Sequence, residues 1–227
     1  MKTIVISLGG SLIIPNRVDF AFLDAFKKEI RKYYSFYKFV IVCGGGSVAR
    51  TYMDALSKEG KNEREIADAG IMATRMNAKF LMEFFGKEAN KLPPKNMEDV
   101  AANLHKNKAV ICGALRYADN ETSDGTAAKL ANFLNCDFIN MTNVRGLYTS
   151  DPRKDKKAQL IPKITWKDFE LMAHKTKFKA GQHFVLDQTA ATIIRNHRIK
   201  TYIIGNDVKN LGRVLENKKF AGTFISE

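Results

Sequence analysis

A chain of 227 residues, 45% hydrophobic and 27% charged, has apolar material for a core and charge to keep it in solution; one folded domain over 1–227 is expected. The formal net charge of +13 favours an anionic partner (nucleic acid, a membrane surface or a phosphorylated metabolite), unless it is only a solvated lysine-rich surface. No apolar run reaches the roughly 18 residues of a membrane span, and no basic tail or RNA-binding signature stands out, so neither a membrane nor nucleic acid is expected.

The first predicted element is a strand, "IVIS" at 4–7; its apolar stretch is too short for a secretion signal and runs into glycines. Leu23, Phe26, Ile30 and Tyr33 repeat at helical spacing and predict a helix over 18–34. A second strand, "KFVIVC" at 38–43, leads into Gly44, Gly45 and Gly46 and then a helix. Further helices are expected over 63–85, 122–135, 183–197 and 207–217, and further strands at 108–112, 136–141 and 200–205. "NKLPPKNMED" at 90–99 reads as a proline-containing loop, and 142–180 as an irregular subregion. Short Ile- and Val-rich strands alternating with helices predict an α/β three-layer sandwich around a mainly parallel central sheet.

Cys43, Cys112 and Cys136 lie in or beside strand-like runs, form no C-x-x-C pair and are expected as reduced, packed thiols of a cytoplasmic protein. His105, His174, His183 and His197 have no metal-ligand spacing. No metal-ligating set is assigned.

Two glycine-rich loops follow the first two strands: "SLGGSL" at 7–12 and "CGGGSVAR" at 43–50. Where a parallel strand ends and a helix begins, unpaired N–H groups and the helix dipole favour phosphate, and bare glycine lets its oxygens reach the main chain. A tight turn would explain either loop alone. Together, at one sheet edge, they could hold two phosphate chains facing each other, as phosphoryl transfer requires. Neither has Walker A or G-x-G-x-x-G spacing. Arg50, one turn into the following helix, is either a phosphate fork or a surface arginine. Thr122, Ser123 and Asp124 precede an alanine-rich helix and either cap it, bind an acceptor phosphate, or both. Thr142, Asn143, Tyr148 and the Asp151–Pro152 turn suit a base pocket or an ordinary loop. No Ser-His-Asp arrangement is present, and none is needed if the attacking group is an already ionised phosphate.

In order, "SLGGSL", "VCGGGSVARTY", "GIMATRMNA", "TSDGTAA", "TNVRGLYTSDP" and "KAGQHFVLDQTAATII" resemble the amino acid kinase superfamily, and within it the archaeal-type uridylate (UMP) kinases, over nearly the whole chain. The resemblance implies the amino acid kinase-like fold, with acceptor-side residues mainly in 1–140 and nucleotide-side residues mainly in 141–227. It implies transfer of the ATP γ-phosphoryl group to UMP with Mg²⁺, in pyrimidine nucleotide biosynthesis, by a homohexamer built as a trimer of dimers. On that resemblance Gly9, Gly10, Ser11, Gly46, Arg50, Thr142, Asn143, Tyr148 and Asp151 would meet ATP. Gly45, Asp68, Leu115, Thr122 and Ser123 would meet UMP. Arg50 and Asp124 would act at the point of transfer, with Asp124 the candidate for one carboxylate contact to Mg²⁺.

The chain departs from the family pattern in four places. Ser7 stands where many members have Lys. Ala67 falls in the ribose-binding aspartate slot, with Asp68 beside it. The stretch "GALRYADNETSD" at 113–124 replaces "GGT-x-P-G-x-TTD", and Arg145 replaces an acidic residue. A related kinase with another phosphorylated acceptor, or a nucleotide-binding protein without turnover, are the alternatives.

Overall fold

The computed structural model describes residues 1–116, 122–175 and 185–227. Among these residues the chain runs β1 (Lys2–Leu8), α1 (Gly10–Ile13), α2 (Phe20–Arg31), β2 (Tyr37–Cys43), α3 (Gly46–Lys58), α4 (Glu63–Phe85), α5 (Met97–Lys106) and β3 (Ala109–Cys112). It continues through α6 (Ser123–Phe133), β4 (Asp137–Met141), β5 (Lys163–Thr165), α7 (Trp166–Lys175), α8 (Gln188–Asn196), β6 (Thr201–Ile204), α9 (Val208–Leu215) and β7 (Gly222–Ser226). The strands form one sheet in the order β3-β2-β1-β4-β6-β7-β5, parallel except where β7 runs antiparallel to β6.

The period of two along each strand sorts the core into two layers. Ile4, Ile6, Leu8, Phe39 and Ile41 face the side covered by α2, α4 and α9, where Phe26, Leu81, Phe85 and Leu211 are buried. Val5, Val40, Val42, Val110 and Phe138 face the side covered by α5, α6, α7 and α8, where Leu104, Leu130, Phe169 and Ile194 are buried. The strands are apolar on both faces because both faces are covered, which gives the expected three-layer α/β sandwich. Helix starts are fixed locally. Asp19 accepts from the Phe22 amide at 3.0 Å. Asn62 and Glu65 form a reciprocal capping box at the head of α4.

Five elements were not expected, the four-residue α1 (Gly10–Ile13) among them. Helix α5 occupies the end of the proline-containing loop and buries only Val100 and Leu104, too few apolar positions for a clear period. The 142–180 stretch, expected to be irregular, contains β5 and α7; β5 is only 3 residues long and carries no alternation of its own. Strand β7, "GTFIS", opens with glycine and a polar residue. The expected helix over 183–197 is observed as Gln188–Asn196, residues 183 and 184 lying outside the described residues. Among the described residues no helix is long and apolar enough to cross a membrane. Cys43 and Cys112 are buried and Cys136 half-buried, and burial pushes all three thiols well above their ordinary value, away from the reactive thiolate.

Candidate active site

Parallel strands β3, β2, β1 and β4 end at one edge, so the segments that follow them line up there as 113–116, 44–50, 9–12 and 142–151. From β1 the chain moves through β2 to β3 on one side and then returns to β4 on the other. The point where the order reverses is where α/β sheets open a crevice for ligands.

The two glycine loops meet within that crevice. Gly44 donates to the Leu8 carbonyl at 2.9 Å, and Gly9 to the Met141 carbonyl at 3.0 Å. A Cβ on Gly10 would lie 2.1 Å from the Gly46 nitrogen and 2.6 Å from the Gly44 oxygen, while Gly46 itself has φ +64°. Loop touches loop, backbone to backbone, and no side chain fits between them. The sequence suggests glycines kept bare for phosphate; the structure adds that Gly10 and Gly46 lie bare against each other. At Gly45 the obstacle is local: its Cβ would lie 2.5 Å from the Ala49 Cβ. Helix α3 begins at this contact with no side-chain cap, so its first N–H groups and its dipole face the crevice. Ser11 lies in α1, half-buried, and Arg50 is exposed on the second turn of α3.

Helix α4 holds the back of this arrangement. Asn77 is buried and donates from Nδ2 to the Gly44 carbonyl at 2.8 Å and the Gly45 carbonyl at 3.3 Å. One turn earlier, Thr74 Oγ1 accepts from the Ala114 amide at 2.9 Å. Arg75 donates from Nε to the Ala114 carbonyl at 3.0 Å and from Nη2 to the Leu115 carbonyl at 2.8 Å. Leu115 is half-buried, and Asp68 is exposed near the head of α4.

Thr122 caps α6, its Oγ1 accepting from the Asp124 amide at 3.1 Å and donating to Asp187 Oδ2 at 2.6 Å. The capping reading of this segment therefore holds; contact with an acceptor would use the remaining capacity of Thr122 and Ser123. Asp187 Oδ2 also accepts from the Thr122 and Gly125 amides, each at 3.2 Å, while Oδ1 caps α8 through Ala190 at 2.6 Å. Half-buried Asp124 accepts from Ser7 Oγ at 2.7 Å. Loss of hydration, and then the neighbouring Asp187 charge, push the Asp124 carboxyl up to about 7 against the pull of the Ser7 hydroxyl. Where many family members place a lysine, this chain thus places a hydroxyl on the carboxylate.

On the far side of the switch point, the Thr142 amide donates to the Ile204 carbonyl at 3.0 Å, and Asn143 and Arg145 are exposed. Tyr148 pairs across to Leu160 in an isolated antiparallel bridge, which orders the loop. Asp151 accepts from the Arg153 amide and Nε at Oδ1 and from Nη2 at Oδ2, and these bonds hold its carboxyl at about 2. It anchors a turn.

Ser7, Thr74, Arg75, Asn77 and Asp187 received no role from the sequence. All five lie in stretches that carry the family resemblance, "SLGGSL", "GIMATRMNA" and "KAGQHFVLDQTAATII", but which groups they meet requires the fold. Of the last stretch, 179–184 lies outside the described residues. No group of three or more His, Cys, Asp or Glu forms a metal cage among the described residues.

Comparison with known proteins agrees with this geometry. The profile of the amino acid kinase family matches residues 2–205. A uridylate kinase from Pyrococcus abyssi is 35% identical over 217 residues, 95% of this chain and 96% of that protein. One from Thermoplasma volcanium is 34% identical over 227 residues, 100% and 98% of the two chains. The crystal structure of uridylate kinase from Archaeoglobus fulgidus superposes with a TM-score of 0.86 at 31% identity, covering 100% of both chains. With the glycine loops, the switch point and the match along its whole length in agreement, the chain belongs to the amino acid kinase family and groups within it with the uridylate kinases.

Proposed function

We propose that the protein transfers the γ-phosphoryl group of ATP to UMP, giving ADP and UDP. The observation that carries the reading is the backbone contact between the two glycine loops at the switch point, in a chain related along its length to uridylate kinases. ATP would lie towards Thr142, Asn143 and Tyr148, UMP towards Asp68, Leu115, Thr122 and Ser123, and their phosphates would meet over the glycine loops. The chemistry asks the protein for in-line positioning and charge neutralisation, since the attacking UMP oxygen needs no base. The α3 N-terminus supplies fixed N–H dipoles, and Arg50 adds a full charge.

The residues present fit Mg²⁺. With no protein cage among the described residues, the ion would be held by phosphates and water, and Asp124 is the carboxylate available to it. Bound there, Mg²⁺ would neutralise phosphate charge.

Assembly as a homohexamer, a trimer of dimers, belongs to the same proposal. Met72, Met76 and Phe80 form a four-residue-spaced stripe on α4, with Tyr52 on α3, exposed by 61%, 69%, 36% and 56%. Such a stripe supports association between copies, and light scattering checks the stoichiometry. A cytoplasmic setting is consistent with the unpaired cysteines.

ADP release measured against UMP, CMP, AMP, GMP and non-nucleotide phosphates tests the activity. A related kinase acting on another acceptor is the second reading, favoured by the 113–124 stretch and by Arg145; preference for a phosphate other than UMP would establish it. Arg50→Met keeps side-chain length and removes the charge. It is expected to lower kcat about 10²-fold, as for loss of one transition-state contact, with little change in KM for ATP or in Tm. Unchanged kcat would remove Arg50 from the site.

A further inference from the structure

We propose that Arg75 is a positioning residue that sets acceptor affinity by clamping the backbone at Ala114 and Leu115, an inference that rests on the assignment of Leu115 to the acceptor side. Arg75 lies in the middle of α4, with Met72 and Met76 exposed nearby, and composition alone would make it a surface cation. Its guanidinium instead grips two successive carbonyls, those of Ala114 and Leu115. The adjacent residue, Thr74, accepts from the Ala114 amide and fixes its own hydroxyl by donating to the Ile71 carbonyl at 2.7 Å. Three polar backbone groups of Ala114 and Leu115 are thus held by two neighbouring side chains.

The approach is close enough to dictate sequence. A Cβ on Gly113 would lie 2.7 Å from the Arg75 nitrogen, the Thr74 carbonyl carbon and Thr74 Oγ1. The segment therefore rests flush on α4. Strand β3 stops at Cys112, and among the described residues the β2–β3 ladder does not extend to 114–115. The fork holds that segment instead. A planar guanidinium reaches two carbonyls from one side chain, whereas an ammonium on a flexible stem does not fix both. Asn77, one turn further along the same helix, holds Gly44 and Gly45. Helix α4 therefore sets the spacing between the glycine loop and the acceptor segment, and Arg75 is the part that acts on the acceptor alone.

Steady-state kinetics of Arg75→Met and Arg75→Lys against wild type test the proposal, with hydrogen exchange at Ala114 as a reading that needs no substrate. Arg75→Met is expected to raise KM for UMP about tenfold, the scale of one charge-assisted hydrogen bond, and to change it more than kcat or KM for ATP. Arg75→Lys should lie between the two. Exchange at the Ala114 amide should speed up in Arg75→Met, while the Ile111 amide, held by Asn90 Oδ1 at 2.7 Å, should not change. Unchanged KM for UMP would overturn the proposal. So would a parallel loss in both KM values, kcat and Tm, which would mark a merely structural arginine. Wild-type protein that releases no ADP with UMP would refute the acceptor assignment instead. The clamp would then stand or fall on Ala114 exchange, and an unchanged rate would remove it.

Discussion

Asp124→Asn is expected to lower kcat by about 10³-fold, the upper end for a group acting on developing charge, while the metal-free apo-protein melts higher at pH 8 than wild type. The two effects have one origin. Asp124 sits half-buried, bonded to the Ser7 hydroxyl and near the Asp187 charge. Its carboxyl titrates near 7 when folded, against 3.8 for the free group. Between those two pH values the native state holds a proton that the unfolded chain has released, so stability falls as pH rises through the window and levels off above it. At about 1.36 kcal/mol per unit the loss has an upper bound of about 4 kcal/mol, reduced by solvent on the open side of the carboxylate. Asn keeps the shape and can still accept from Ser7, but it never ionises. Melting curves from pH 5 to 8 in chelator should slope downward for wild type and run flatter for the variant. A variant that melts lower at pH 8 would show that the charge is already compensated, and near-normal turnover would remove Asp124 from the reaction.

Gly10→Ala should abolish activity and cost about 3 kcal/mol, the upper part of the range for overpacking. The new methyl would lie 2.1 Å from the Gly46 nitrogen, and backbone cannot step aside as a side-chain tip can. Gly60→Ala is the matched comparison. Gly60 has φ +77° and nothing within 4 Å of its Cβ position, so only left-handed strain of about 1–2 kcal/mol opposes it and kcat should be kept. Urea melts and turnover on both variants measure the difference. If Gly10→Ala is as stable and as active as Gly60→Ala, the two loops do not depend on their contact.

The legibility of the chain in its sequence followed the strength of each periodic signal. Strands β1, β2, β3, β4 and β6 are short, largely apolar runs with both faces covered, and each stood out. Helix α4 also stood out by its apolar period, while its Asn62–Glu65 box was seen only in the structure. Three-residue β5 and glycine-led β7 had no such signal; β5 pairs with β7, far away in the chain, and β7 lies between β6 and β5. In the site, the glycine loops were visible as motifs, but not what the glycines meet. Gly10 and Gly46 read as two phosphate contacts, and only the fold shows that they also touch each other. Asn77, Arg75 and Asp187 bind backbone atoms distant in sequence, which no local spacing encodes.

The sheet order also bears on how the polypeptide matures during synthesis. Strand β5 lies at the outer edge and is joined to the sheet through β7, Lys163 facing Phe224 and Thr165 facing Ser226. A ribosome adding about 5–20 residues per second releases β5 well before β7 exists. For several seconds the nascent chain carries a strand that has nothing to pair with. The C-terminal half of the sheet therefore closes late, after the glycine loops already have the strands they need. Slowing translation between the codons for Thr165 and Gly222 would prolong an open intermediate in which the edge of β6 is exposed, and a holdase chaperone would find its binding site there.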